Sequence, residues 1–158
     1  MAGLADRGKG IEKMSTIKVR KLHENAILPT YGSAEAAGAD LYACLEAPVT
    51  IAPGENAWIP TGLAMEIPRG CAGLIYARSG LACKKGLAPA NKVGVIDSDY
   101  RGPVTVVLHN HGSESQTISH GERIAQMVIA PVLTPPYEIA DDLSDTDRGQ
   151  GGFGSTGV

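Results

Sequence analysis

Apolar side chains along this chain recur mainly at every second position, in short runs closed by proline or glycine. Residues 16–22 place Ile17 and Val19 on one side, as a half-buried strand does. The stretches around Leu28-Pro29 and Tyr31-Gly32-Ser33 read as loop, and a strand begins at Asp40. Residues 49–51 form a strand that turns at 52–55. Residues 57–68 read as strand, bend, strand, with Pro60 and Gly62 marking an edge or a bulge. A turn at 68–70 leads into a strand over 71–77. Val93, Val95 and Ile96 lead into a polar turn at 97–102, and 104–108 leads out, which predicts two strands joined as a hairpin. Residues 115–118 and 125–133 supply further strands. The pattern changes once, at 79–86, where a short helix is predicted. Ser79 suits its N-cap, Lys84 and Lys85 lie in its last turn, and Gly86 suits a left-handed stop. Many short strands, Pro/Gly turns and one short helix predict an all-β sandwich or jelly roll.

Composition sharpens this picture. A chain of 158 residues is one domain, long enough to bury a core. Aromatics make up 4%, so the core must come from Ile, Val, Leu and Ala. Charged residues make up 20% and the net charge is −3, so no broad field attracts a nucleic-acid polymer or an anionic membrane. An anionic ligand would have to be held by a few placed cations and backbone amides. Three cysteines without a C-x-x-C spacing argue against a disulfide framework and for a reducing, cytoplasmic compartment. They read as small buried residues. No apolar run is long enough for a membrane span. Residues 1–15 have no period and no signal-peptide core, and read as a disordered extension with Met14 as an alternative start. A β domain over 16–136 is then followed by 137–158, where Asp141, Asp142, Asp145 and Asp147 make an acidic linker to a glycine-rich arm.

Four stretches carry candidate chemistry. At 94–102, Asp97 stands where a carboxylate could face a bound water, and Tyr100 where a ring could lie against a flat ligand; an ordinary polar turn is the plainer reading. Arg78-Ser79-Gly80 opens the helix, where free amides, a guanidinium and a hydroxyl suit phosphate; a plain capped helix is the alternative. The glycine-rich tail is neither a Walker loop nor a dinucleotide fingerprint, since no helix or Lys-Ser/Thr follows. Its Arg148, Phe153, Ser155 and Thr156 are groups that a phosphate and a base would use. It is either an arm that closes over a ligand or a frayed terminus, and the chain's only Phe favours the arm. Asp40 either turns the backbone or stands near a metal; Mg²⁺ on a triphosphate keeps several waters, so one outer carboxylate suffices. His109 and His111 share a face but lack a third ligand at close spacing, which argues against zinc.

Taken in order, these stretches resemble the trimeric dUTPases, the deoxyuridine triphosphate nucleotidohydrolases, over nearly the whole chain from Ile17 to Gly157. Ala37-Gly38-Ala39-Asp40-Leu41 is similar to the family's first motif and Arg78-Ser79-Gly80-Leu81-Ala82 to its second. Residues 94–102, with Asn91 just ahead, resemble the third, Gly121-Glu122-Arg123-Ile124-Ala125-Gln126 the fourth, and 148–157 the fifth. The resemblance implies a distorted jelly-roll protomer in a homotrimer with three shared active sites. Motifs one, two and four come from one body, the third from a neighbour and the tail from the third chain. It implies hydrolysis of dUTP to dUMP and pyrophosphate with Mg²⁺ on the phosphates, keeping uracil out of DNA and supplying dUMP for dTMP synthesis. By position, Asp97 is the general base on a water attacking the α-phosphorus, and Asp40 holds Mg²⁺ through water. Arg78, Ser79, Gly80 and Gln126 line the phosphates, Gln126 also near the water. Asn91 and the backbone of Gly94, Val95 and Ile96 on to Tyr100 read uracil, and Tyr100 excludes a 2′-hydroxyl. Arg148 reaches the γ-phosphate, Phe153 stacks on uracil, and Gly154, Ser155 and Thr156 close on the phosphates. Two rivals remain: a dCTP deaminase, or bifunctional deaminase and diphosphatase, of the same fold, and a non-catalytic trimer that binds nucleotides or a protein.

Overall fold

The computed structural model describes residues 16–152. Eleven strands and one helix follow in order: β1 (Lys18–Lys21), β2 (Thr30–Tyr31), β3 (Ala39–Tyr42), β4 (Val49–Ile51), β5 (Asn56–Glu66), β6 (Cys71–Tyr76), α1 (Ser79–Lys85), β7 (Leu87–Pro89), β8 (Gly94–Ile96), β9 (Val104–Asn110), β10 (Gln116–Ile118) and β11 (Arg123–Pro131). They form a four-stranded sheet in the order β1-β5-β9-β7, a five-stranded sheet in the order β2-β3-β11-β6-β8, and the pair β10-β4. Every pairing is antiparallel. This is the expected all-β jelly roll with one short helix.

Period-two patterning sets which face is inside. In β9, Val104, Val106, Leu108 and Asn110 are buried while the residues between them are half-buried. Ile59, Leu63 and Met65 from the four-stranded sheet meet Leu41, Ile75, Ile96 and Met127 from the five-stranded one in a single core, joined by Ile51, Ile118 and Leu81. Among the described residues no aromatic side chain is buried, as the composition required. Among the described residues the buried polar side chains are satisfied. Asn110 donates to the carbonyls of Ile51 and Glu114 and accepts from the Gly112 amide.

Pro60 and Gly62 mark a bulge rather than an edge. The β5–β9 register slips between Pro60 and Leu63, so two residues stand unmatched. Thr61 is fully buried there, and its hydroxyl donates to the Val104 carbonyl at 2.7 Å and accepts from the Leu63 amide at 3.3 Å. Gly62 takes φ +68°, and a Cβ on it would stand 2.8 Å from the Cys44 sulfur and 2.9 Å from the Ala26 Cβ. The bulge therefore demands glycine twice, for conformation and for space.

Four expectations need correction. The stretch 94–108 is not a hairpin: β8 pairs with β6 and β9 pairs with β5 and β7, in different sheets. The seven residues from Asp97 to Pro103 are too many for a tight turn and carry the chain across the core from one sheet to the other. Ser79 is the first helical residue, and Arg78 is the N-cap, in extended conformation with no side-chain cap bond. Cys83 is exposed and Cys44 and Cys71 half-buried, because Leu81 is the helix's only buried residue and Cys83 falls on its outer face. A short strand also forms at Thr30–Tyr31, where sequence patterning showed only loop, and another at Leu87–Pro89, which the sequence reading left unassigned, because two or three residues carry no readable period.

Gly62→Ala is expected to lower stability by about 2–4 kcal/mol, combining left-handed strain with overpacking against Cys44. The urea midpoint reports it; an unchanged midpoint would mean that the bulge accepts a side chain.

Candidate active site

The site is built on one rung of the five-stranded sheet. Gln126 in β11 stands opposite Asp40 in β3 on one side and Tyr76 in β6 on the other. The chain leaves β6 through Ala77 and reaches Arg78 at the start of α1. Three stretches far apart in sequence thus meet at one end of the sheet.

Their side chains interlock. Arg78 Nε donates to Asp40 Oδ1 at 2.6 Å. Arg123 Nη1 donates to Asp40 Oδ2 at 3.4 Å. Asp40 is 14% exposed and both arginines more so, which leaves their outer faces open to an anion. Gln126 donates from Nε2 to the Ala77 carbonyl at 2.9 Å, so its Oε1 turns toward Gly38. A Cβ at Gly38 would lie 2.5 Å from that oxygen. Glycine in the first motif is therefore the space in which the fourth motif's glutamine sits. Ser79 and Gly80 are exposed, and nothing stands within 4 Å of a Cβ placed on Gly80. The first turn of α1 holds no acidic residue. Its amides are free for an anion, and no carboxylate there repels one.

The helix is held from its other end. Gly86, at φ 65°, is its left-handed cap and donates to the Ala82 carbonyl. Lys85 Nζ donates to Glu122 Oε1 at 3.1 Å, and the Ser119 amide donates to Glu122 Oε2 at 2.6 Å. Partial burial pushes the Glu122 carboxyl up, but the Ser119 amide and the Lys85 charge outweigh it and hold the group below its ordinary value of 4.5.

The third motif lies elsewhere in this chain. Gly94 pairs with Ile75, and Ile96 with Gly73, so β8 runs away from the rung. Asp97, level with Ala72, is two strands across and four residues along from Gln126, on the order of 15 Å away. It is exposed, as are Asn91 and Val95. Lys92, beside Asn91, takes a positive φ of 64°. Tyr100 folds back on its own turn: its hydroxyl donates to the Pro103 carbonyl at 3.0 Å, and its ring covers Gly102, where a Cβ would collide with the phenol oxygen. Arg101 braces the same turn by donating to the carbonyls of Ser98 and Tyr100. Arg148 donates to the Gly151 carbonyl and touches none of these groups. Phe153, Gly154, Ser155 and Thr156 lie outside the described residues. His109 and His111 do meet, with ring centroids 4.4 Å apart, but among the described residues no three of His, Cys, Asp and Glu cluster as metal ligands.

Sequence reasoning gave no role to Arg123 or to the Lys85–Glu122 pair. Arg123 lay inside the fourth motif, but its partner is eighty-three residues away, and only the β3–β11 register brings the two together.

Fold and site define a jelly-roll protein that gathers two arginines, a carboxylate and an amide beside a free helix start, a class suited to polyanionic small ligands. A profile of the dUTPase family matches residues 24–157, and the chain belongs to that family. It is 49% identical to the deoxyuridine 5'-triphosphate nucleotidohydrolase of Syntrophotalea carbinolica, over 92% of this chain and 99% of that one. It is 55% identical to the enzyme of the same name from Roseobacter denitrificans, over 82% and 86%. Among solved structures, the Staphylococcus bacteriophage 80alpha dUTPase with dUpNHpp matches at a TM-score of 0.83 and 32% identity, covering 90% of this chain and 99% of that one.

Gly38→Ala is expected to displace the Gln126 side chain and lower kcat/KM by about tenfold or more, with a smaller effect on the unfolding midpoint. Steady-state kinetics alongside urea unfolding checks it; parental kcat/KM would mean that Gln126 has other room.

Proposed function

We propose that this chain hydrolyses dUTP to dUMP and pyrophosphate at a site shared between copies in a homotrimer. The observation that carries the reading is the interlock of Asp40, Arg78, Arg123 and Gln126, which joins the first, second and fourth motifs in one body. Arg78, Ser79, Gly80 and Gln126 then line the triphosphate. Asp97 takes a proton from the attacking water as its oxygen bonds to the α-phosphorus, and the bond to the bridging oxygen of pyrophosphate breaks. Gln126, fixed through Ala77, holds the water by its free oxygen.

Asp97 cannot serve the rung of its own chain from on the order of 15 Å away, which favours a site completed by a second copy. Apolar surface supports the same assembly: Trp58 is 74% exposed on the outer face of the four-stranded sheet, and Tyr137, Ile139 and Leu143 stand exposed along the arm. In this reading Asn91 and the β8 backbone from Gly94 take uracil, Tyr100 bars a 2′-hydroxyl, and the tail from Arg148 through Phe153 to Thr156 closes over the nucleotide.

The residues fit Mg²⁺ as an outer-sphere partner. Both Asp40 oxygens already accept from arginines, so the carboxylate would hold the ion through water, with the phosphates as direct ligands. When bound, the ion offsets phosphate charge against the incoming water. We place the enzyme in the cytoplasm, where three unpaired cysteines remain reduced.

Pyrophosphate release across dUTP, dCTP, dTTP and UTP tests the activity. Turnover of dUTP alone is expected; ammonia from dCTP would move the chain to the deaminase branch, and no turnover to a binding role. Asp97→Asn is expected to lose nearly all turnover while still binding dUTP, and near-parental turnover removes Asp97 as the base. Mixing settles the sharing. Asp97→Asn and Arg78→Ala chains, each inactive alone, should recover about a quarter of parental activity when co-assembled at random. No recovery would place every site within one chain. Truncation after Asp147 should leave folding intact and remove most activity, whereas a fully active truncation would exclude the arm.

A further inference from the structure

We infer that Lys85 and Glu122 are positioning residues, a second tether that keeps α1 in place over the rung when Arg78 changes partner. The inference rests on the reading that Arg78 serves the substrate's phosphates.

The helix has seven residues, too few to hold itself, and only Leu81 anchors it in the core. Its N-terminal end carries no capping side chain. One tether to the sheet is Arg78 on Asp40. That tether sits where the phosphates must bind, so a nucleotide that draws the guanidinium outward weakens it. The other tether is Lys85 on Glu122, about two turns further along and clear of the phosphates.

Glu122 is a fixed post. Its carbonyl accepts from the Ala43 amide at 2.9 Å, its amide donates to Ser119, and the neighbouring Gly121 amide donates to the Ala43 carbonyl. Ala43 follows the strand that carries Asp40, and Glu122 immediately precedes the strand that carries Arg123 and Gln126. Both carboxylate oxygens are engaged, one by Lys85 and one by the Ser119 amide. Lys85 therefore ties α1 to the place where the strands of the first and fourth motifs are stitched together. A pair of this exposure, 38% and 37%, contributes little to global stability. Its effect falls on where α1 sits, and small misplacements of binding groups are costly in rate.

The test uses full-length Lys85→Met and Glu122→Gln, the conservative Lys85→Arg, and the charge swap Lys85→Glu with Glu122→Lys. Backbone amide hydrogen exchange over residues 82–86, where the Ala82 and Gly86 amides are hydrogen-bonded along the helix, is read first in the free protein. Faster exchange is expected in both single variants, with an unchanged urea midpoint and near-parental exchange in Lys85→Arg and in the swap. In dUTP turnover the single variants should lose about tenfold in kcat/KM, chiefly through a raised KM, with partial recovery in the swap. Unchanged exchange at 82–86 overturns the tether, and so does an exchange increase that merely follows a lowered midpoint or that the swap fails to reverse. A parent that hydrolyses no dUTP would overturn the functional reading instead, and the exchange data would still decide the tether.

Discussion

One register governs the site. Gln126 opposite both Asp40 and Tyr76 is a backbone fact, fixed by two runs of antiparallel hydrogen bonds and by the core residues beneath them. A slip of one residue would turn Gln126 into the core and Met127 out of it, at the cost of the whole buried face. The arginines follow from that register: Arg78 leaves β6 two residues after the rung, and Arg123 precedes it by three in β11. Around a half-buried carboxylate two guanidiniums are stable together because each is balanced by the same Asp40, and their outer edges stay free for an anion. Charge placement, not net charge, makes the site. The chain as a whole is negative.

Glycine acts at three places in the same logic. Gly38 gives Gln126 its space, Gly62 lets β5 bulge, and Gly102 lets Tyr100 lie on its own turn. The bulge matters to the site because Thr61 bonds the Val104 carbonyl, where the chain re-enters a sheet after the third motif. The turn that carries Asp97 and Tyr100 is thus pinned at its far end by a buried hydroxyl, and internally by Arg101 and by the tyrosine itself. Tyr100 is held in place before any ligand arrives, which suits the exclusion role proposed for it.

Much of this was legible in the sequence because it depends on period two and on local turn chemistry. The long strands, the bulge at Pro60-Gly62, the helix with its Gly86 stop and the aliphatic core all follow from residues within a few positions of each other. What was not legible depends on partners far along the chain. Whether 94–96 and 104–110 pair with each other or with strands in separate sheets is a tertiary choice; their alternation is compatible with both. Arg123 reads as an exposed strand residue until β3 is laid beside it. Ser79 has the right chemistry for a cap, yet its position one residue into the helix leaves its hydroxyl facing outward. The departure is informative: a capping side chain would have occupied the amides that the site leaves open.

The distance between the third motif and the rung carries the argument from fold to assembly. Within this chain, the five-stranded sheet separates its candidate base from its candidate phosphate groups by two strands and four residues. No rotamer spans that, since an aspartate reaches only a few ångströms from its backbone. Either these residues belong to unrelated surfaces, or the chemistry needs a neighbour to present one set against the other. The first alternative leaves Asn91, a left-handed Lys92 and a self-braced tyrosine turn without a task on an exposed edge. The second gives each a partner and explains why Trp58 and the arm's apolar residues face outward. In the proposed assembly, sharing would also separate two demands on one fold. The rung can be rigid and charged while the edge proposed to read uracil stays a strand backbone, and each lies where its own sheet position makes it cheapest to hold.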